Sequence, residues 1–147
     1  MFTPQAIGFV ESPYKESAAI PKGLRTKHDA EGILRILPEF ELGLTDIEGF
    51  SHLMVIWVFD RSHDFELLGT PPFDNRPHGV FATRSPRVQT RSVSPSSSCF
   101  AENELLHVRG VDMLDGTPIL DIKPYLSSVP PETLRRRWLA EAESRKR

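Results

Sequence analysis

Prolines and glycines interrupt this chain at short intervals, and this spacing limits the secondary structure that it can form. Thirteen prolines and nine glycines are spread over 147 residues. The short segments between them contain β-branched and aromatic residues, a pattern that predicts strands. The predicted strands are residues 6–12, 32–37, 52–59, 79–83, 105–111 and 118–122. We therefore expect a mainly β fold.

The segment 52–59 is the most apolar of these strands. It has no polar residue from Leu53 to Phe59, so the alternation typical of a half-exposed strand is missing. This pattern predicts a central strand that is covered on both faces.

One helix is expected, near the C-terminus. Pro130 and Pro131 end the strand pattern, and apolar residues then recur at helical spacing. The apolar residues on this helical face are Leu134, Trp138, Leu139 and Ala142. We expect the helix to dock through Trp138. Residues 42–47 are predicted to form a shorter helix or turn, and residues 60–77 a long polar loop of the kind that often has a function.

Length and charge exclude several classes of protein. A chain of 147 residues and 16.6 kDa has the size of one ordinary domain, and its longest apolar run is far shorter than the roughly 20 residues of a membrane span. It has one cysteine and no N-terminal signal pattern, so we expect a cytoplasmic protein without a membrane segment. With 18 basic and 20 acidic residues it has no global positive field, so any contact with nucleic acid must be local.

Two polar segments follow apolar strands, residues 81–86 and 112–125. The pair Asp115-Gly116 is a strong turn signal, so strands 105–111 and 118–122 are predicted to form a hairpin whose tip presents Asp112 and Asp115. Alternatively, both aspartates only bond to turn amides. Asp121 and Lys123 share one face of a strand, where they could pair with neighbours.

The common catalytic motifs are missing from the sequence. It contains no Gly-x-Ser-x-Gly, no phosphate-binding glycine loop and no His-Glu-x-x-His. The five histidines are scattered and Cys99 has no second thiol beside it, so no metal site is expected. His52 is interpreted as a strand-end histidine rather than a base, and the sequence identifies no general base.

Five segments, read in order, resemble the TsaA-like family, which includes the TrmO-type tRNA methyltransferases. They are residues 7–16 (IGFVESPYKE), 37–40 (LPEF), 44–53 (LTDIEGFSHL), 78–86 (HGVFATRSP) and 112–125 (DMLDGTPILDIKPY). The resemblance implies a barrel-like β domain that binds S-adenosyl-L-methionine and often forms a homodimer; the expected C-terminal helix is added to it. It also implies N6 methylation of a modified adenosine beside the anticodon of tRNA.

The resemblance also implies where ligands bind. Cofactor contacts are expected at Pro21, Lys22, Asp60, Arg61, Arg84, Asp112, Met113, Leu114 and Asp115. Substrate contacts are expected at Asp121, Lys123 and Tyr125. Two positions depart from the family, because a glutamine is missing after Pro21-Lys22 and Asp60 stands where a histidine is common. Arg84, the start of the 60–77 loop and the 112–115 turn are expected to converge on one pocket.

Residues 88–100 depart further, and we interpret them as a compensated frameshift. Where the family reads R-P-N-P-I-G-L-S, residues 88–95 read VQTRSVSP. If each family codon combines the last base of one codon here with the first two bases of the next, all eight family residues are recovered. The same shift turns residues 96–100, SSSCF, into the apolar V-V-K-L-L. This hypothesis predicts that residues 91–98 do not form a buried strand, that stability is reduced and that the cofactor loop is altered.

These observations lead to one leading hypothesis and one alternative. We expect a cofactor-binding β domain over residues 1–128, followed by a helix and basic tail over residues 129–147. The leading hypothesis is an S-adenosylmethionine-dependent tRNA methyltransferase. The alternative is a non-catalytic β module of the same fold that binds a small ligand or a partner. The basic clusters at residues 135–137 and 145–147 are candidates for contact with RNA backbone or simply solvated charges.

Overall fold

The computed structural model describes residues 1–22, 26–62, 66–84, 88–95 and 103–145, with the backbone alone for residues 88–95. These residues belong to two structural units. Unit 1 comprises Met1–Pro21, Lys27–His63 and Pro86–Tyr125. Unit 2 comprises Lys22–Thr26, Asp64–Ser85 and Leu126–Arg147.

Six strands of unit 1 close into an antiparallel barrel. Numbered in chain order, the eight strands of the described residues are β1 (Gly8–Glu11), β2 (Glu31–Ile36), β3 (Leu53–Val58), β4 (Leu68–Gly69), β5 (His78–Gly79), β6 (Val88–Pro95), β7 (Leu105–Arg109) and β8 (Pro118–Pro124). The barrel order is β1-β2-β7-β6-β3-β8, and β8 pairs with β1 to close it. The expected mainly β, barrel-like fold is confirmed.

The core of unit 1 follows from alternation along these strands. Val10 on β1 pairs with Leu34 on β2, and Leu34 pairs with Leu106 on β7. All three are at most 1% exposed, as are Leu53 and Val55 of β3. Each such side chain stabilises the fold by about 1.5–3 kcal/mol relative to an exposed position. The barrel interior is therefore the main hydrophobic core.

Strand β3 is less enclosed than predicted. It has partners on both edges, β6 and β8, but its burial alternates along the strand. Leu53, Val55 and Trp57 are buried, whereas Met54 and Ile56 are half-buried. The prediction of equal cover on both faces is wrong, because a barrel strand has a neighbour at each edge but only one face in the interior.

The predicted hairpin between strands 105–111 and 118–122 is also wrong. Both segments are strands, but β7 pairs with β2 and β6, while β8 pairs with β1 and β3. A two-residue hairpin needs strands that flank the turn directly, and here β7 ends at Arg109. The connection 110–117 instead carries Val111 and Met113 fully buried. Since β7 and β8 lie opposite each other in the ring, this connection crosses one end of the barrel.

The segment 88–100, which we interpret as a compensated frameshift, forms a strand over the part that the structure describes. Residues 88–95 pair with β3, from Leu53↔Val93 to Val58↔Val88, and the last two residues of β6 pair with β7. Residues 91–95 therefore form a strand, and the prediction that residues 91–98 do not form a buried strand stays a prediction, because the structure describes only the backbone of this strand. Backbone hydrogen bonds to β3 need no apolar side chains, and residues 96–100 lie outside the described residues.

Unit 2 contains a short hairpin, several turns and the helix α1 (Arg137–Arg145). Strand β4 lies inside the segment 60–77 that was predicted to be a polar loop, and it pairs with β5, which follows directly after that segment. The predicted strand 79–83 is wrong, because Val80–Ala82 form a 3-10 turn in which the amide and hydroxyl of Thr83 both bond to the Val80 carbonyl. No helix of the described residues is long and apolar enough to cross a membrane. The predicted domain boundary at residue 128 stays a prediction.

The C-terminal helix docks through Trp138, as predicted, but begins later than its apolar pattern implies. The Trp138 indole stacks on His78 with ring centroids 3.9 Å apart and donates a 3.1 Å hydrogen bond to the Ala82 carbonyl. Leu134 is 55% exposed and follows a separate 3-10 turn, so its predicted place on the helical face is wrong. Arg137, the first residue of α1, has a φ of +38°, and this change of backbone direction interrupts the chain between that turn and the helix.

Three further 3-10 segments lie in unit 1. They are Ser17–Ala19, Pro38–Leu44 and Ile47–Gly49. The last two flank and overlap residues 42–47, where a helix or turn was predicted. Thr45 ends the longer one, and its hydroxyl donates to the Leu42 carbonyl at 2.8 Å.

Candidate functional site

The crossing segment 110–117 ends in a turn that is fastened to β1. The Thr117 amide donates to the Leu114 carbonyl at 3.1 Å, which closes a four-residue turn around Asp115 and Gly116. Gly116 has φ +81°, a conformation that glycine adopts at little cost. Its amide donates to the Val10 carbonyl at 2.7 Å. The turn predicted from Asp115-Gly116 is thus present, but it is anchored on β1 rather than on a hairpin partner.

The Asp115 carboxylate joins this turn to the chain that follows β1. One oxygen accepts the Ser12 amide at 2.9 Å, and the other accepts the Lys15 ammonium at 2.6 Å. The Lys15 hydrogen bond and then the Ser12 amide lower the pKa of Asp115 below its ordinary value. Asp115 therefore does more than bond to amides of its own turn, and it carries a negative charge at neutral pH.

Ser12 is the buried member of this cluster. Its hydroxyl donates to the Met113 carbonyl at 2.7 Å and accepts the Tyr14 amide at 3.1 Å. Sequence reasoning did not single out Ser12 or Lys15 as site residues, although both lie in the segment 7–16. The available signal was a run of polar residues directly after a strand. Their partner is about a hundred residues away in the chain, so no local pattern could identify it.

Arg61 brings the start of the 60–77 segment to the same turn. Its guanidinium donates to the Asp115 carbonyl at 2.6 Å, and its Nε lies 3.6 Å from the Asp60 carboxylate. Both side chains are a little under half exposed. Arg61 thus contacts the 112–115 turn, and Asp60 is connected to that turn through Arg61. The result is a partly exposed cluster of two carboxylates and two cations, formed by Asp60, Asp115, Arg61 and Lys15.

A groove of about 560 Å³ opens beside Asp115 in unit 1. It is lined by Glu11, Ser12, Pro13, Lys15, Glu31, Gly32, Ile33, His107 and Asp115. Small-molecule sites commonly have volumes of about 300–1,000 Å³. The groove is therefore large enough for a ligand the size of a nucleoside derivative, and Asp115 belongs to both the groove and the predicted site.

The other predicted cofactor residues are placed differently. Pro21 and Lys22 are exposed, and Met113 has a fully buried side chain, so a ligand could reach Met113 only through its backbone. Asp112 is half-buried. Arg84 and Lys22 belong to unit 2, so their expected convergence with Asp115 stays a prediction.

The predicted substrate residues lie along β8. The Lys123 ammonium lies 2.8 Å from the Asp121 carboxylate, so these two residues pair with each other. Tyr125 follows the strand; it is 48% exposed, and its amide donates to the His52 carbonyl at 3.1 Å. A contact between any of these residues and a substrate stays a prediction.

Known proteins resemble this chain over the whole barrel. A family model described as the tRNA-methyltransferase O N-terminal domain matches residues 9–130. A probable S-adenosyl-L-methionine-binding protein of Archaeoglobus fulgidus is 45% identical over 131 residues, which cover 84% of this chain and 34% of that protein. The tRNA (adenine(37)-N6)-methyltransferase of Escherichia coli is 33% identical over 133 residues, which cover 83% of this chain and 57% of that enzyme.

Solved structures agree with these matches. The crystal structure of TrmO from Pseudomonas aeruginosa superposes with a TM-score of 0.73 at 29% identity, covering 94% of this chain and 62% of that one. The present chain thus spans about a third to three fifths of the length of these relatives. The matched range 9–130 includes Ser12, Lys15, Arg61 and Asp115. Together the family model, the relatives and the barrel show that the chain belongs to the tRNA-methyltransferase O N-terminal domain family.

Proposed function

We propose that this protein is an S-adenosylmethionine-dependent methyltransferase that acts on N6 of a modified adenosine beside the anticodon of tRNA. The observation that carries the proposal is the family match over residues 9–130, which contains the complete Asp115 cluster. Relatives named for S-adenosyl-L-methionine binding and for adenine(37)-N6 methylation of tRNA support the cofactor and the substrate. A homodimer and a cytoplasmic location belong to the same hypothesis and stay predictions.

The charges around Asp115 fit S-adenosylmethionine. This cofactor carries a sulfonium and an ammonium, which favour carboxylates, and a carboxylate, which favours a guanidinium or ammonium. The site supplies both signs, because Asp115 is ionised and lies 2.6 Å from Lys15, while Arg61 bonds to the carbonyl of the same residue. Glu11 and Glu31 add two carboxylates to the groove. The residues present therefore suit a zwitterionic ligand.

The role of the protein is to bind and orient. When bound, the cofactor supplies an electrophilic methyl group. Asp115 and Arg61 would hold its charged groups, and the fixed turn 114–117 would keep them in one orientation, which is how positioning contributes to rate. We assign further cofactor contacts to Pro21, Lys22, Asp60, Arg84, Asp112, Met113 and Leu114, and substrate contacts to Asp121, Lys123 and Tyr125. No residue is assigned as a general base.

The altered segment supports a second candidate function. Residues 88–95 pair with both β3 and β7, so the backbone of this segment completes the barrel. If residues 88–100 are the product of a compensated frameshift, the scaffold is retained while the cofactor loop is changed. The chain would then be a non-catalytic β module that binds a small ligand or a partner.

A binding experiment separates the two candidates. S-adenosylmethionine is titrated calorimetrically into the full chain, into Asp115→Asn and Arg61→Gln, and into Asp29→Asn as a control on an exposed carboxylate of unit 1. The proposal expects binding by the parent and the control, and a loss of at least about tenfold in both site variants, since each removes a charged partner.

The frame-restored chain, with R-P-N-P-I-G-L-S-V-V-K-L-L at residues 88–100, completes the design. The frameshift hypothesis would be favoured if the frame-restored chain transfers labelled methyl groups to tRNA and the parent does so weakly or not at all. Failure of both chains to bind the cofactor would refute the enzyme and favour the binding module. Equal stability and equal affinity of the two chains would refute the frameshift.

A further inference from the structure

The two structural units carry opposite net charge. Unit 2 contains ten lysines and arginines and six aspartates and glutamates, which is a net charge of +4. Unit 1 contains eight basic and fourteen acidic residues, which is a net charge of −6. The overall charge of −2 therefore conceals a positive unit, and a polyanion would favour unit 2 over unit 1.

Unit 2 displays a large aromatic side chain on a braced turn. Phe81 is 96% exposed, and it stands in the 3-10 turn Val80–Ala82. The Val80 amide donates to the Leu67 carbonyl at 2.9 Å, and the Ala82 carbonyl accepts the Trp138 indole at 3.1 Å. Both neighbours of Phe81 are thus held in place. No ring contact engages Phe81 among the described residues, so its ring is available as a flat apolar surface.

Two arginines of the same unit have no carboxylate partner among the described residues. Arg136 pairs with Glu143 at 2.7 Å and Arg145 pairs with Asp74 at 2.6 Å. In contrast, Arg135 donates only to backbone carbonyls, and Arg137 has no ion pair in the part of the chain that the structure describes. Both are exposed.

The Trp138 indole connects these features. Trp138 directly follows Arg137, and Ala82 directly follows Phe81. The hydrogen bond between the Trp138 indole and the Ala82 carbonyl therefore joins these two segments. An exposed ring and two unpaired guanidinium groups therefore lie on connected parts of one small unit. Single-stranded nucleic acids are recognised by this combination, because bases stack on aromatic rings while cations contact the phosphates.

We infer that unit 2 is the RNA-binding surface of this protein, with an unpaired base of the RNA stacked on Phe81 and backbone phosphates contacted by Arg135 and Arg137. This inference rests on the proposed function for the identity of the RNA, a tRNA anticodon loop, whose bases are unpaired. The positive charge of unit 2 favours RNA over an apolar protein partner for this surface.

Titration of a fluorescently labelled anticodon stem-loop RNA, followed by anisotropy, tests the stacking. Phe81→Ala and Phe81→Leu are expected to weaken binding by about 5- to 150-fold, and Phe81→Trp is expected to retain it, because only an aromatic ring offers a stacking face. Since Phe81 is almost fully exposed, these variants should fold, which circular dichroism checks. Phe50→Ala, at an aromatic residue 39% exposed in unit 1, is the matched control and should bind like the parent.

Salt dependence tests the phosphate contacts. The double variant Arg135→Gln/Arg137→Gln should reduce the slope of log affinity against log salt by about 1 to 2. Lys27→Gln, at an exposed lysine of unit 1, should leave that slope unchanged.

The outcomes distinguish this inference from the proposed function. Undiminished RNA binding by Phe81→Ala, or no RNA binding by the parent, would overturn the inference. Neither result would contradict the proposed binding of the cofactor. Loss of RNA affinity in Phe81→Ala, with no binding of S-adenosylmethionine by either the parent or the frame-restored chain, would support the RNA surface and refute the proposed enzymatic function. Sedimentation showing that Phe81→Ala dissociates a dimer, with RNA affinity unchanged, would make the surface a protein interface and overturn the inference.

Discussion

Replacing Ser12 with alanine tests the junction between β1 and the crossing segment. The Ser12 hydroxyl donates to the Met113 carbonyl at 2.7 Å inside the core and accepts the Tyr14 amide at 3.1 Å. Alanine removes this hydroxyl while keeping the Ser12 amide that bonds to Asp115. The variant therefore isolates one side-chain oxygen from the rest of the site.

The expected loss of stability follows from the burial of these partners. An unsatisfied buried carbonyl costs about 1–3 kcal/mol. Tyr14 is only half-buried, so water can reach its amide and little is added there. Since the volume change is small, no significant cavity contributes. The free energy of unfolding should fall by about 1.5–3 kcal/mol.

Urea denaturation followed by circular dichroism measures this loss, with equal m-values required before midpoints are compared. Ser17→Ala, at an exposed serine with no side-chain hydrogen bond among the described residues, should change stability by less than about 0.5 kcal/mol. Ser12→Thr retains a hydroxyl and should recover part of the loss. A Ser12→Ala midpoint equal to that of Ser17→Ala would refute the reasoning.

Three further predictions concern other contacts. Gly116→Ala should lose about 1–2 kcal/mol in urea denaturation from positive φ alone, because the added methyl group would lie 3.9 Å from its nearest neighbour, the Arg61 guanidinium; an unchanged midpoint would contradict this. Met113→Ala should lose about 2–5 kcal/mol, since the side chain is fully buried, and a loss below about 1 kcal/mol would show that it is not packed as described. The hydrogen bond from His78 is the main cause that lowers the pKa of Asp74 to about 2. The contribution of ionised Asp74 to the free energy of unfolding is therefore complete above about pH 4 and is lost as pH falls towards 2. Acid titration of Trp138 fluorescence should show this transition in the parent but not in Asp74→Asn.

Local patterns predicted the strands well because strand formation depends on the residues of the strand itself. Alternating or continuous apolar residues located β1, β2, β3, β7 and β8 to within a few residues of their ends. Pairing could not be derived in this way. The Asp115-Gly116 turn is local, whereas the edges of β7 are occupied by strands from distant parts of the chain.

In the candidate site, too, some residues could be predicted from the sequence, whereas residues that depend on distant partners could not. Asp115 and Arg61 were predicted because the resemblance implies cofactor contacts at their positions, and in the structure the Arg61 guanidinium lies 2.6 Å from the Asp115 carbonyl. Ser12 and Lys15 were missed because each gains its importance from a partner about a hundred residues away. The strand predicted at 79–83 failed because the Thr83 hydroxyl offers the backbone a local alternative to sheet bonding.

Closure of the barrel also determines when this protein can complete its folding. The first strand pairs with the last, through Gly8↔Ile119 and Phe9↔Pro118, so one seam joins residues about 110 positions apart. A chain emerging from the ribosome can pair β1 with β2 early, but the other edge of β1 stays open until β8 has been made. Contacts of such long range slow folding, and an open strand edge invites pairing with other chains. Synthesis that stops before residue 118 should therefore yield an aggregating product rather than a smaller domain.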